Sequence, residues 1–172
     1  VLVEKPRKSS LNGQIMEGIY VTETDYTHTG NVITATEKRY FKDTQGNKRD
    51  ENTSLTTYTF ENENLIKKTE NSTEYNSTTE YTYDGKNNPL FQNFKKLMDP
   101  DYFNDAKNSK NNILTRKITT KYNYNNSTIV KEYVYEHTYA DNNYALTEKV
   151  FDKTTKNGVE KKELDETTEY AY

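Results

Sequence analysis

Few residues in this 172-residue chain have the type and spacing that catalysis or metal binding needs. The two histidines, His28 and His137, lie far apart in Thr/Tyr-rich segments, and there is no Cys to complete a ligand set. Neither stands in a His-x-x-x-His spacing, so both read as packed or solvent-facing side chains of a polar sheet. Asp99, Asp101 and Asp105 look like the start of an oxygen-rich cation loop. The pattern fails where Phe103 takes the fifth position and Asn104 takes the sixth, which needs Gly. An Asx-turn role fits them better. Paired carboxylates such as Glu61/Glu63 and Glu166/Glu169 sit among Lys and Thr, and the chain has no Trp. Nothing there suggests the apolar pocket that raises a general acid's pKa. No nucleophile elbow, phosphate loop or dinucleotide fingerprint occurs. The expectation is a non-enzyme with no cofactor and no metal.

Tyrosine is the one abundant chemical resource, with 16 residues. Tyr133, Tyr135 and Tyr139 share the parity of His137, so one strand face would carry all of them. Such a face could stack on sugar or peptide. The competing reading is structural. Tyr58/Phe60, Tyr81/Tyr83, Tyr122/Tyr124, Tyr133/Tyr135 and Tyr170/Tyr172 are spaced two apart and spread along the whole chain. In-register neighbours would stack these rings into cross-strand ladders, each pair contributing roughly 0.2–1 kcal/mol. Their dispersal favours that structural role.

The elements positioning these groups follow from composition and turns. Hydrophobic residues are only 31% of the chain, while aromatics are 13% and the net charge is −3. That balance excludes a charged disordered tail, which would lack aromatics and β-branched residues. No apolar run approaches the ~20 residues of a membrane-spanning helix. Positive charge is mixed with Glu throughout, so no basic stripe suggests nucleic acid. Turn signals at Gly30-Asn31, Gln45-Gly46-Asn47, Asp84-Gly85, Asn125-Asn126, Asp141-Asn142-Asn143 and Asn157-Gly158 separate Thr/Tyr/Val/Ile-rich segments. Strands are expected near 17–28, 31–42, 53–62, 64–70, 75–84, 112–124, 127–140, 143–153 and 159–172. The fold class is all-β: an antiparallel up-and-down meander of about 8–10 strands, as a twisted open sheet or partial barrel. Leu90, Phe91, Phe94, Leu97 and Met98 have helical spacing, and Pro100 would stop a helix. One short capping helix is therefore expected near 91–98.

Residues 1–16, with Glu4-Lys5-Pro6-Arg7-Lys8-Ser9-Ser10, read as a polar arm, and 17–172 as a single β-meander domain. The start at Val1 rather than Met suggests a chain truncated or processed before it. The expected edge strands are then Glu17–His28 and Val159–Tyr172. Lys161, Lys162 and Glu163 blunt the last edge, whereas Gly18-Ile19-Tyr20-Val21 is uncharged. Ile19 and Val21 are thus either covered by N-terminal residues missing before Val1 or open to a partner by strand addition.

The order of several short motifs adds a resemblance. Glu80-Tyr-Thr-Tyr-Asp-Gly-Lys-Asn-Asn-Pro-Leu-Phe91 precedes Ser109-Lys110-Asn111-Asn112-Ile113, and then come Tyr133-Val-Tyr135 and Glu169-Tyr-Ala-Tyr172. Over residues 75–172 this resembles small outer-membrane lipoproteins of the Bacteroidota, of unknown function, described as having a porin-like fold. It is more loosely similar to tyrosine–aspartate repeat proteins. Leu90-Phe91 departs from the usual Pro-Phe. The resemblance implies a cell-envelope lipoprotein domain held at the outer membrane by an N-terminal lipid anchor, facing the periplasm or the cell surface. It implies a binding or structural role as an accessory subunit of an outer-membrane protein assembly, with an envelope protein as partner. It supplies no catalytic residues. One alternative is a glycan-binding surface accessory protein using Tyr133, Tyr135 and Tyr139. A hydrolase acting through the Glu-rich hairpins is a second.

Overall fold

Period-two alternation between Asn/Gly turns produces a sheet in which strand order follows chain order. The computed structural model describes residues 2–11, 14–91, 106–156 and 159–171. Its strands are β1 (Leu2–Leu11), β2 (Gln14–Thr29), β3 (Val32–Asp43), β4 (Lys48–Glu61) and β5 (Asn64–Asn71). They continue as β6 (Tyr75–Tyr83), β7 (Ile113–Tyr122), β8 (Thr128–Tyr139), β9 (Ala145–Lys156) and β10 (Val159–Glu169). Each pairs antiparallel with its neighbours in sequence, giving one ten-stranded sheet in the order β1 to β10. Among the described residues β1 and β10 do not pair with each other, so the all-β meander is open. One 3-10 turn, Ala106–Asn108, is the helical element among the described residues. The helix expected near 91–98 lies, beyond Phe91, outside them, as do Asp99, Asp101 and Asp105.

The expected arm is corrected. Residues 2–11 form β1, and β2 already begins at Gln14. Pro6 is tolerated because an edge strand can give up one backbone donor, and alternating charges suit such an edge. Strand β2 is therefore interior. Ile19 lies opposite Pro6 on one side and Lys42 on the other, and Val21 lies between Glu4 and Tyr40. Ile19 and Val21 are covered by the chain's own first strand, rather than by residues before Val1 or by a docked partner.

The turns are set by residues that accept positive φ. Gly30 (φ 58°) connects β2 to β3. Asn62 and Glu63, at φ 50° and 66°, connect β4 to β5 with the two positive φ values of a type I′ turn. Gly18 is needed for a different reason. A Cβ there would meet Lys42 O at 2.3 Å and the Phe41 ring at 2.6 Å, so the fully buried Phe41 lies across it.

The buried core sits at one end of one face, here termed the inner face. It joins Ile33 and Ala35 of β3, Tyr58 of β4, Leu65 of β5, Ile113 of β7, Tyr135 of β8 and Val150 of β9, with Ala106 from the connection that precedes β7. Tyr26, Phe60, Tyr81, Tyr83 and Tyr133 pack around it. On the outer face Val21 and Tyr40 are also buried, and elsewhere it carries exposed polar pairs. Thr82 and Thr115 share a 2.6 Å hydroxyl hydrogen bond, and Thr138 and Thr147 one of 2.7 Å. Lys117, Glu132, Lys153 and Glu160 form a chain of ion pairs from β7 to β10.

Candidate functional site

The inner face changes character along each strand. On β3, Ile33 and Ala35 enter the core and are followed by Glu37 and Arg39; on β4 the core residue Tyr58 is preceded by Asn52, Ser54 and Thr56. On β5 Leu65 gives way to Lys68 and Glu70, and on β2 Tyr26 is preceded by Thr22 and Thr24. Alternation places these side chains on one face, and register brings them side by side: Thr24, Glu37 and Ser54 align across three strands, as do Thr22, Arg39 and Asn52. The result is a polar trough of about 720 Å³, within the size range of small-ligand sites. Val3 of β1 and Tyr75 of β6 both line it. A flat sheet would hold those strands roughly 24 Å apart, so the sheet is curled around this space.

Charges in the trough are paired within their own strands. Arg39 Nε lies 2.7 Å from Glu37 Oε1, and Lys68 Nζ 3.1 Å from Glu70 Oε1. The Lys68 ammonium also lies 5.8 Å from the centre of the Tyr58 ring. Burial, followed by the nearby Glu70 and Glu74, raises the Tyr75 hydroxyl above its ordinary pKa, so it stays a neutral donor. Around the trough's lower rim, Tyr75 packs edge-on against Tyr122 at 6.5 Å between centroids, and Tyr122 against Tyr124 at 5.6 Å. Tyr124 is 78% exposed. This rim is fixed by Asn123. Its side-chain amide donates to Ser72 O (3.2 Å) and Thr73 O (3.1 Å), and its backbone N–H donates to Glu74 O (2.9 Å).

No protein-family model, no curated protein and no solved structure matches the chain. The trough is therefore read from its own geometry. It offers hydroxyls, amides and two internally paired charge couples. Among the described residues, no cluster of His, Asp and Glu could hold a metal ion.

The tyrosines singled out by sequence are placed elsewhere. Tyr135 is buried in the core, and that burial pushes its hydroxyl up to about 12. Tyr133 has the Arg116 guanidinium 4.0 Å above its ring. Tyr139 donates its hydroxyl to Asp84 Oδ2 and packs beside His137. Their shared parity is as expected, but their rings are occupied, and they form no open stacking platform. His137 is packed: Nε2–H donates to Ile113 O at 2.8 Å, and Nδ1 faces Glu148 Oε2 at 4.0 Å.

The Tyr-Asp and Ser-Lys-Asn-Asn motifs do meet in space, as a latch across the core end. Asp84 accepts from the backbone N–H of Asn112 (3.1 Å) and of Lys86 (3.0 Å), and from the Asn112 side chain (3.1 Å). Asn88 donates to Lys107 O and Ser109 O, each at 2.6 Å. Ser109 Oγ accepts from Leu65 N–H and bonds the Tyr83 hydroxyl. These residues satisfy one another and leave little for a ligand. The trough residues carried no comparable signal, since Glu37, Arg39, Asn52, Ser54, Thr56, Lys68 and Glu70 gather only through cross-strand register.

Proposed function

We propose that the chain is a non-enzymatic binding module whose ligand lies along the inner-face trough. The observation carrying this reading is the switch, at mid-strand on β2 to β5, from packed apolar residues to an aligned row of hydroxyl, amide and charged groups. A sheet needing only solubility could place such groups on its outer face, as this one also does. Here they line a concave space of about 720 Å³. Placement at the outer membrane on a lipid anchor rests on the motif resemblance, and so does service as an accessory subunit. An experiment in native cell envelopes tests both parts. A photo-crosslinking residue at Ser54, inside the trough, should yield an adduct that the same probe at Thr53, on the outer face, does not. The protein should also fractionate with outer membranes. Equal labelling from both positions, or none from Ser54, would remove the trough from consideration; recovery in the soluble cytoplasm would remove the envelope placement.

A further inference from the structure

We infer that the ligand of this trough is a neutral, extended glycan, which crosses the hydroxyl- and amide-lined floor and stacks on Tyr122 and Tyr124 at the rim. The inference rests on the trough being the binding surface, and it adds the ligand's chemical class and two contact residues that sequence reasoning had not selected.

Three observations carry it. The first is charge. Arg39 is held by Glu37 and Lys68 by Glu70, while Glu74 adds a further acid at the margin. Among the described lining residues each cation already has an acid partner, and the slight acidic excess repels polyanions. Side-by-side donors and acceptors do suit adjacent hydroxyls, which give one hydrogen bond and accept another. The second is the backbone. The trough floor is built from interior strands whose N–H and C=O groups are committed to their neighbours. A peptide adding as a strand would find no edge on the floor of β2 to β5, the open edge being that of β1 at the margin. Recognition must pass through the side chains of Thr22, Thr24, Asn52, Ser54 and Thr56, short groups that read hydroxyl patterns. The third is the rim. Tyr75, Tyr122 and Tyr124 form a contiguous aromatic strip that starts in the trough and ends on a ring 78% exposed. Exposed Tyr rings present an apolar face with a polar tip, complementary to a sugar ring's C–H face bordered by hydroxyls. Asn123 clamps this strip to the 72–74 turn, so the ligand would meet rings already in position.

The test uses the full chain on a printed glycan array, followed by titration calorimetry with cellohexaose, xylohexaose and mannohexaose. Oligogalacturonate and a casein peptide digest serve as anionic and peptide probes. Binding is expected to at least one neutral hexasaccharide and to neither of the other two. Tyr124→Ala should weaken it about tenfold, Tyr124→Phe should retain it, and Thr53→Ala on the outer face should leave it unchanged. Circular dichroism of each variant confirms the fold, and Tyr124→Leu replaces Tyr124→Ala if the latter does not fold. Indifference to loss of the Tyr124 ring, preference for the polyanion or peptides, or no neutral glycan bound at all would overturn the inference. A Ser54 crosslink in envelopes together with no glycan binding would overturn the glycan alone and leave the trough reading in place.

Discussion

His137 and Glu148 face each other across β8 and β9 with their side chains almost entirely out of water. Because Ile113 O can only accept, the imidazole proton on Nε2 is fixed, and Nδ1 is left facing a carboxylate oxygen. Removing either side chain takes away the buried polar group that the other faces, at a cost of about 3–5 kcal/mol. His137→Ala and Glu148→Ala are each expected to lower urea-derived stability by that amount. The double variant should lose clearly less than the sum, as coupled neighbours do. Full additivity would show that the two groups do not interact. Sequence could place His137 and Tyr135 on one face but could not say that both are packed. That depends on how far along β8 the core reaches, which is set by Ala106 and Ser109 arriving from a distant connection.

At the scale of single elements, the hairpins were legible and the first strand was not. Asn and Gly at turns, with Thr/Tyr alternation between them, are local signals, and the strands they bound fall where expected. Strand β1 was missed because Glu4, Lys5, Pro6, Arg7 and Lys8 mimic a solvated tail, and edge strands draw on that same composition. The trough was missed because its polar residues look like any soluble face until register aligns them. The β4–β5 turn carries a testable strain. Glu63 sits at φ 66°, a left-handed conformation costing a non-Gly residue about 1–2 kcal/mol. Its ion pair with Lys110, 3.0 Å long and partly exposed, returns only about 0–1 kcal/mol. Glu63→Gly retains the backbone carbonyl that accepts from Lys110 N–H. The variant should gain about 0.5–1 kcal/mol, read as a higher urea midpoint with an unchanged slope; a lower midpoint would mean that the ion pair outweighs the backbone strain.

For the whole molecule, reliance on buried tyrosine sets an alkaline limit. Burial raises the hydroxyls of Tyr58 and Tyr135 above the ordinary value, Tyr135 to about 12. The unfolded chain releases these protons near pH 10, while the folded chain keeps them. Between about pH 10 and 12 the unfolded state therefore binds fewer protons, and stability falls as pH rises. Below pH 10 the contribution is complete. Urea midpoints should hold steady up to about pH 9 and then decline, with tyrosinate absorbance appearing in part only as the chain unfolds; a midpoint flat through pH 12 would contradict this. The strict neighbour-to-neighbour order of the sheet has a further consequence, for assembly in time. No strand waits for a partner that is made much later, so loop-closure entropy is small at nearly every step. The sheet can grow one hairpin at a time as the chain is delivered, whether from a ribosome or through a membrane channel. Among the described strands the exception is the pair β6 and β7, whose connection carries an asparagine latch that ties Asn64 to Asn111. The two halves of the sheet can extend independently, and closing this connection is the step that joins them.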